Sequence, residues 1–263
     1  MFSWFFNAIN MEEKIKSIFA GRNEIPLFAV DTGSRNWGVN NEASDYDVKG
    51  FYIRSKAQLF DFRYEAKKIT VNPEGLDFTC YDFNGFLGLI SDNSPTAFEM
   101  LRSDLIYLNE IGDFSKFKQE VIEYFDLQAL ANGFVGYGKG NLKTMEKAKE
   151  VDYKMAFLAL RPLLYAELLK NDKLPENSMD RLLTQIGKQH PLQGIAMNFM
   201  ARKKTGMEKD ILPSDEAASL LETIRDFAEE LEIVKIDKSS QERIDKFLED
   251  YSYDFKSTFY NMK

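Results

Sequence analysis

The sequence predicts an α+β protein, with a small head built on a mixed β-sheet and flanking helices, followed by an α-helical C-terminal region. Short apolar runs with the alternation of strands fall between about residues 22 and 110. From about residue 113, apolar residues recur at helical spacing and strand signals nearly vanish. We therefore expect two domains, residues 1–112 and 113–263, of which the first carries the sheet.

The elements of the head follow from local patterns. Residues 11–20 have helical periodicity, and the apolar run 26–30 predicts a buried strand. Residues 45–53 alternate and are rich in aromatic and β-branched side chains, which predicts a second strand. Two more strands are expected at 67–71 and 76–81, and Asp82 then stands where the N-cap of a following helix belongs.

The C-terminal region is expected to be a series of helices. They are predicted at 115–126, 128–149, 152–171, 178–187, 189–203, 215–233 and 240–260. Gly133, Gly136, Gly138 and Gly140 are unusual inside the second of these helices. We interpret them as a flexible hinge, because a phosphate loop would need the Walker spacing and a preceding strand.

Composition limits the function. A hydrophobic content of 44% is typical of a globular protein, and the net charge of −8 argues against non-specific wrapping of nucleic acid. Cys80 is the only cysteine and His190 the only histidine, which excludes an internal disulfide and any mechanism that needs two histidines.

The apolar segments of the sequence predict where in the cell the protein lies. The apolar N-terminal stretch lacks a basic region and meets Glu12 and Glu13, so we expect no signal peptide. No run approaches the ~20 apolar residues of a membrane span. We therefore expect a cytoplasmic protein.

The most informative stretch joins the first two predicted strands. Gly33 and Ser34 form a turn after the first strand, and Asp45 and Asp47 lie on the second. Since strand side chains alternate, these two carboxylates point to the same side and repel each other unless a cation lies between them. Mg²⁺ suits such an all-oxygen site and usually shares its coordination with phosphates. The pattern predicts a place for a metal-bound triphosphate, and Asp31 is expected to hold the turn by accepting backbone hydrogen bonds.

These residues resemble a known signature. The strings GSRNWG at 33–38 and SDYDVK at 44–49 are similar to the motif of the polymerase-β-like nucleotidyltransferase superfamily, in the branch associated with RNA ligases. The resemblance covers the first ~100 residues and extends loosely into the helical half. Its further matches are Asp77, Asp82, Ser94, Pro95, residues 99–101, Lys154 and residues 160–164.

The resemblance implies an activity and a cofactor. It implies transfer of an NMP from an NTP, which we expect to be ATP, to an RNA end, a protein or a small molecule, with release of pyrophosphate. It also implies two Mg²⁺ ions held by Asp45, Asp47 and a third carboxylate. We favour Asp77 for the third carboxylate and as general base, because it lies inside a strand, whereas Asp82 has a ready role as an N-cap.

Nucleotide-binding residues are also expected. Arg35 and Lys49 flank the motif as counter-charges for phosphate, although Arg35 is equally suited to an ion pair with Glu42 or Asp47. Lys154 and Arg161 lie seven residues apart and form either a basic strip for the nucleotide or a solvated helix face. Trp37 is expected to pack the turn rather than to stack on a base. The nucleotide-binding set is Gly33, Ser34, Arg35, Lys49, Lys154 and Arg161.

The sequence departs from the motif at three positions. Lys49 stands where the branch has arginine, Ser94 where it has asparagine, and Gly85 where it has a lysine. Loss of that lysine motivates the alternative of a non-catalytic nucleotide-binding or sensor protein. A third option is a minimal nucleotidyltransferase, similar to antitoxins, that modifies a partner protein.

Overall fold

A computed structural model describes residues 11–63, 65, 67–231, 233–236 and 238–261. The described chain divides into two compact units. Unit 1 comprises residues 11–36, 45–125 and 238–261, and unit 2 comprises 37–44 and 126–236. Residues 113–125 and 238–261, which the sequence suggested for the second domain, thus belong to unit 1, while 37–44 belong to unit 2.

Unit 1 is built on a five-stranded mixed sheet in the order β3-β4-β2-β1-β5. The strands are β1 (Glu24–Asp31), β2 (Tyr46–Arg54), β3 (Ile69–Val71), β4 (Leu76–Asp82) and β5 (Ile106–Asn109). β2 and β4 are parallel, and the other neighbours are antiparallel. The predicted α+β fold with a mixed sheet is confirmed. β5 was not predicted, because its exposed-buried-buried-exposed pattern lacks alternation.

The helices flank the sheet in unit 1 and make up most of unit 2. They are α1 (11–18), α2 (Lys56–Leu59), α3 (Phe83–Ser91), α4 (Pro95–Arg102), α5 (Phe114–Ile122), α6 (Leu127–Lys147), α7 (Tyr153–Lys170), α8 (Met179–Ile186), α9 (Gln193–Lys204), α10 (Ser214–Glu230) and α11 (Lys238–Asn261). Among these described helices, none is long and apolar enough to cross a bilayer.

Both faces of the sheet are covered in unit 1. On one face, Ile15 of α1 and Phe19, which follows this helix directly, pack in a buried cluster with the strand residues Val48, Phe78 and Cys80. On the other face, aromatic rings stack from the sheet to α3, with centroid distances of 5.4 Å for Phe28–Phe51 and 4.4 Å for Phe51–Phe86. This burial is the main stabilising contribution to the sheet.

Helix α11 joins unit 1 through a ladder of aromatic side chains. The ring centroid of Tyr251 lies 4.3 Å from that of Phe117 on α5. The ring centroid of Phe255 lies 4.8 Å from that of Phe83 on α3. The spacing of four residues between Tyr251 and Phe255 places both on one helix face. These long-range contacts explain why the C-terminal helix belongs to the unit that carries the sheet.

The glycine-rich segment of unit 2 is a continuous helix and not the expected hinge. It lies within the 21-residue α6, which runs unbroken from Leu127 to Lys147. A Cβ at Gly138 would lie about 2.5 Å from Cγ of Leu163 on α7. The absence of a side chain at position 138 therefore lets α6 and α7 approach closely, and Asn141 adds a 2.8 Å hydrogen bond to the carbonyl of Leu158.

Candidate active site

The Gly33–Ser34 turn after β1 is held by hydrogen bonds to a buried carboxylate. Asp31 ends β1 and is fully buried. Its Oδ1 accepts hydrogen bonds from the amides of Gly33, at 2.9 Å, and Asn36, at 3.4 Å. Its Oδ2 accepts a 3.1 Å hydrogen bond from the hydroxyl of Tyr107 on β5. The turn is thus fixed by the residue before it, as the sequence suggested.

The same turn lies directly against the start of β2. The amide of Thr32 donates to the carbonyl of Asp47 at 2.8 Å. A Cβ at Gly33 would lie about 2.5 Å from Cβ and Cγ of Asp47, so only glycine fits here. The amide of Gly33 donates to Asp31, and nucleotide binding by Gly33 and Ser34 stays a prediction. The adjacent Ser34 is buried.

The pairing of β2 with β4 brings two carboxylates together. Asp47 and Asp77 are direct partners in this parallel ladder, so their side chains extend from the same face of the sheet. Neighbouring strands of a sheet are about 4.8 Å apart. Asp77 is exposed and Asp47 half-buried. Asp45 is exposed and precedes β2 by one residue, two positions from Asp47. This end of the sheet carries three of the predicted acidic groups.

Asp82 lies elsewhere and has structural partners. It is five residues beyond Asp77 at the other end of β4, and an odd offset turns its side chain to the opposite face. Its carboxylate caps α3 through the amide of Asn84, at 3.0 Å, and contacts Nε of Arg54 at 3.1 Å. The register therefore places Asp77, rather than Asp82, beside Asp47.

The donor set fits a hard cation that arrives with a phosphate. Within the described ranges, no three acidic, cysteine or histidine side chains lie close enough together to hold a metal by themselves. Mg²⁺ is commonly bound by one or two carboxylates, with substrate phosphates and water completing its shell. Asp47 and Asp77 on adjacent strands match this requirement, with Asp45 two residues from Asp47.

The buried end of β1 has a distinctive electrostatic environment. Burial raises the pKa of Asp31 to about 6, and the neighbouring Asp47 carboxylate adds to the rise. Hydrogen bonds from Gly33, Tyr107 and Asn36 oppose it. Burial and the Asp31 charge also raise the pKa of the Tyr107 hydroxyl. The carboxylates of Asp31 and Asp47 thus lie close enough to repel each other beside the turn, and a cation near Asp47 would weaken this repulsion.

Two predicted cationic residues belong to the same unit. The Arg35 guanidinium lies 3.9 Å from the ring centroid of Tyr46, a cation–π contact that orients this half-buried side chain. Lys49 is half-buried and lies two residues after Asp47 on β2, so it shares the face of the carboxylates. Both positions are compatible with contacts to an anionic ligand.

The two predicted basic residues of unit 2 differ in how far they are exposed to solvent. Lys154 is exposed on the first turn of α7. Arg161 is only 6% exposed, and its guanidinium lies 3.8 Å from the Trp37 ring centroid and 4.9 Å from that of Tyr165. Trp37 also packs on Phe157 at 5.9 Å, in agreement with its expected packing role. Nucleotide binding by Lys154 and Arg161 stays a prediction.

Sequence reasoning missed residues that reach the turn from far along the chain. Ser103 donates through Oγ to the carbonyl of Asp31 at 2.6 Å, and Tyr107 donates to its carboxylate. Both lie more than 70 positions from Asp31. No local pattern signals such contacts, because they depend on β5 pairing with β1.

The family model described as "RNA repair pathway DNA polymerase beta family" matches residues 9–250. The uncharacterized protein YcgL of Bacillus subtilis (strain 168) is 26% identical over 223 residues, which cover 82% of this chain and 85% of that protein. A nucleotidyltransferase-like protein from Exiguobacterium sibiricum 255-15 has a structural match over 84% of this chain and 74% of its own, at 11% identity and a TM-score of 0.30. Because the family model spans most of the chain, the resemblance read from the motif is confirmed: the chain belongs to the RNA repair pathway DNA polymerase beta family.

Proposed function

We propose that this protein is a metal-dependent nucleotidyltransferase that transfers an NMP, with ATP as the expected donor, to an acceptor and releases pyrophosphate. The observation that carries the proposal is the pairing of Asp47 with Asp77 beside a turn at which only glycine fits. Membership of a polymerase-β-like family supports the same chemistry.

Each residue has a role in the proposed reaction. Asp45, Asp47 and Asp77 would hold Mg²⁺, which neutralises charge on the triphosphate when bound. Asp77, the more exposed of the paired carboxylates, accepts the proton of the acceptor hydroxyl. The hydroxyl oxygen forms a bond to the α-phosphorus, and the bond from that phosphorus to the bridging oxygen of pyrophosphate breaks. Lys49 offsets charge on the phosphates from the same face of β2.

The acceptor we favour is an RNA end. The family description names an RNA repair pathway, which supports this choice over a protein or a small molecule. The net charge of −8 disfavours long, non-specific RNA contacts, so a short terminal segment is the better substrate for a first test.

A second candidate is a nucleotide-binding or sensor protein without catalysis. The observation that favours it is Gly85, which is exposed on α3 with open space around it and offers no cation where the motif that this sequence resembles implies a lysine. This candidate predicts nucleotide binding without any covalent product.

The test incubates the protein with Mg²⁺, each labelled NTP and short RNAs that differ in their termini. We expect a product extended by one nucleotide, and loss of at least 100-fold in rate for Asp47→Asn and Asp77→Asn, on the order of a lost metal ligand. Glu74→Gln is the matched control, because Glu74 is an exposed acidic residue in the turn before β4. Melting curves establish that each variant is folded.

The outcomes separate the candidates. Transfer that survives both aspartate substitutions would contradict the proposed site. ATP binding by calorimetry without transfer to RNA, protein or small-molecule pools would favour the sensor. A nucleotide mass added to a co-purified protein would identify a protein acceptor instead of RNA.

A further inference from the structure

A row of polar side chains crosses the sheet next to the Asp47–Asp77 pair. Lys49 on β2 is the ladder partner of Thr79 on β4, and Thr79 is the ladder partner of Thr70 on β3. Ladder partners lie on the same face, so these three side chains form one polar row across three strands. The polar row lies two residues, about 7 Å, along the strands from the carboxylate pair. Thr79 is half-buried and Thr70 is exposed on the edge strand.

The two threonines of the polar row are turned away from the core. The alternate residues of β3 and β4 pack in the buried cluster beneath α1, and these are Ile69, Val71, Phe78 and Cys80. Since neighbouring residues of a strand point to opposite faces, Thr70 and Thr79 lie on the other side of the sheet. Within the part of the chain that the structure describes, neither hydroxyl makes a hydrogen bond. The core and the local hydrogen bonding therefore leave both hydroxyls available to a ligand.

Two cations lie where β3 begins. Lys67 and Lys68 are exposed and directly precede this strand. Neither forms an ion pair with any residue in the described ranges, and with Glu65 included the segment 65–68 keeps a positive charge. The hydroxyl of Tyr52 donates to the carbonyl of Lys67 at 2.7 Å, which fixes the backbone at this point. Lysine and threonine side chains supply many of the contacts that proteins make to phosphate and sugar oxygens.

The order of the strands indicates which substrate reaches the polar row. From β1 towards β3, the sheet carries the Gly33–Ser34 turn, then Asp47, Asp77 and Thr70. The inference rests on the proposed function for the reaction, in which Asp77 takes the proton of the acceptor and the triphosphate lies at the turn that the motif predicts for it. The attacking and leaving oxygens of a phosphoryl transfer are roughly in line. An acceptor that attacks at Asp77, while pyrophosphate leaves on the β1 side, therefore extends over β4 and β3.

We propose that Thr79, Thr70 and Lys68 bind the sugar-phosphate backbone of a single-stranded RNA acceptor next to its reacting terminus. The threonine hydroxyls donate to phosphate oxygens or bond to 2′-hydroxyl groups, and Lys68 neutralises a phosphate further along the strand. The three side chains include no large apolar group. A protein segment is therefore the less suitable occupant, because protein interfaces depend on buried apolar and aromatic anchors.

The first test measures binding of a labelled short single-stranded RNA by fluorescence anisotropy, in Mg²⁺ buffer without any NTP. Thr70→Val and Thr79→Val remove a hydroxyl but keep a β-branched side chain that favours a strand. We expect about fivefold weaker binding for each variant, the effect of losing one neutral hydrogen bond. Thr79→Ser keeps a hydroxyl and should bind RNA like the wild type. Melting curves establish that each variant is folded.

The role of Lys68 is tested through the salt dependence of the same binding. Lys68→Met should reduce the slope of log K against log salt concentration by about 0.7, the value for one phosphate contact on a single strand. Lys14→Met is the matched control, because Lys14 is exposed on α1, which covers the opposite face of the sheet. The control should keep the wild-type slope.

Several results would overturn the proposed RNA contacts. These are no binding of RNA to folded wild type, unchanged binding in a folded variant that combines Thr70→Val with Thr79→Val, or an equal change of slope in Lys14→Met, which would indicate general electrostatics. Failure of the proposed function is distinguishable, because RNA binding that depends on the two threonines supports the contacts even if no NTP is turned over. Nucleotidyl transfer with an unchanged KM for RNA in the combined variant would leave the function and remove the contacts.

Discussion

Replacing Asp31 by asparagine should change how stability depends on pH. Asp31 is fully buried, and its pKa is raised from 3.8 to about 6 in the folded protein, chiefly by burial. Folding therefore favours the protonated form, so the stabilising contribution is complete below pH 4 and is lost as the pH rises through 6. The difference of about two units between the folded and unfolded pKa of Asp31 corresponds to roughly 3 kcal/mol of unfolding free energy over the full titration.

Asparagine preserves most of the local geometry. Its Oδ1 can still accept from the amides of Gly33 and Asn36, and its amide can donate to the oxygen of Tyr107. It does not ionise. We therefore expect the unfolding free energy of Asp31→Asn, relative to wild type, to rise by about 2 kcal/mol between pH 4 and 7, which is most of the full linkage effect.

The assay is urea unfolding of both proteins at half-unit steps from pH 4 to 7.5. Comparing the two proteins at each pH cancels the contributions of the other titrating groups. Asp104→Asn serves as the control, because Asp104 is exposed in the same region. A difference between Asp31→Asn and wild type that stays constant across this range would refute the reasoning.

Three further substitutions test packing and the site. Gly33→Ala would place a methyl group where the Asp47 side chain lies, so it should displace the turn and reduce nucleotidyl transfer at least tenfold. The same overlap should lower the stability measured by thermal unfolding by about 1–3 kcal/mol. Gly138→Ala should force apart α6 and α7 at Leu163 and lower stability by about 1–3 kcal/mol, whereas Gly136→Ala, which has open space, should be neutral or stabilising. Arg161→Met should cost about 1–3 kcal/mol through loss of stacking on Trp37, measured by urea unfolding, and an unchanged midpoint would contradict that contact.

Local patterns predicted most of the elements but not all of their lengths and roles. Helices such as α10 were recognised because apolar residues recur along them at helical spacing. The short α2 and β5 were missed, because four residues carry too little periodicity. The hinge interpretation of the glycines in α6 was wrong because Gly138 is there for contact with Leu163, which only packing reveals.

The sequence by itself determined the family and the main acidic motif. Gly33, Ser34, Asp45 and Asp47 lie within one short stretch, so their spacing is visible in the chain and predicts their proximity. The family model over residues 9–250 agrees with that prediction. Local spacing was sufficient because a turn and the strand after it are neighbours in space.

The tertiary structure decided which distant groups reach the turn. The parallel register of β2 and β4 sets Asp77 beside Asp47 and turns Asp82 away to cap α3. The pairing of β1 with β5 brings Tyr107 to Asp31. Strand pairing joins residues far apart in the chain, and shifting a register by one residue exchanges the two faces of a strand. For that reason the choice between Asp77 and Asp82 as the neighbour of Asp47 required the fold.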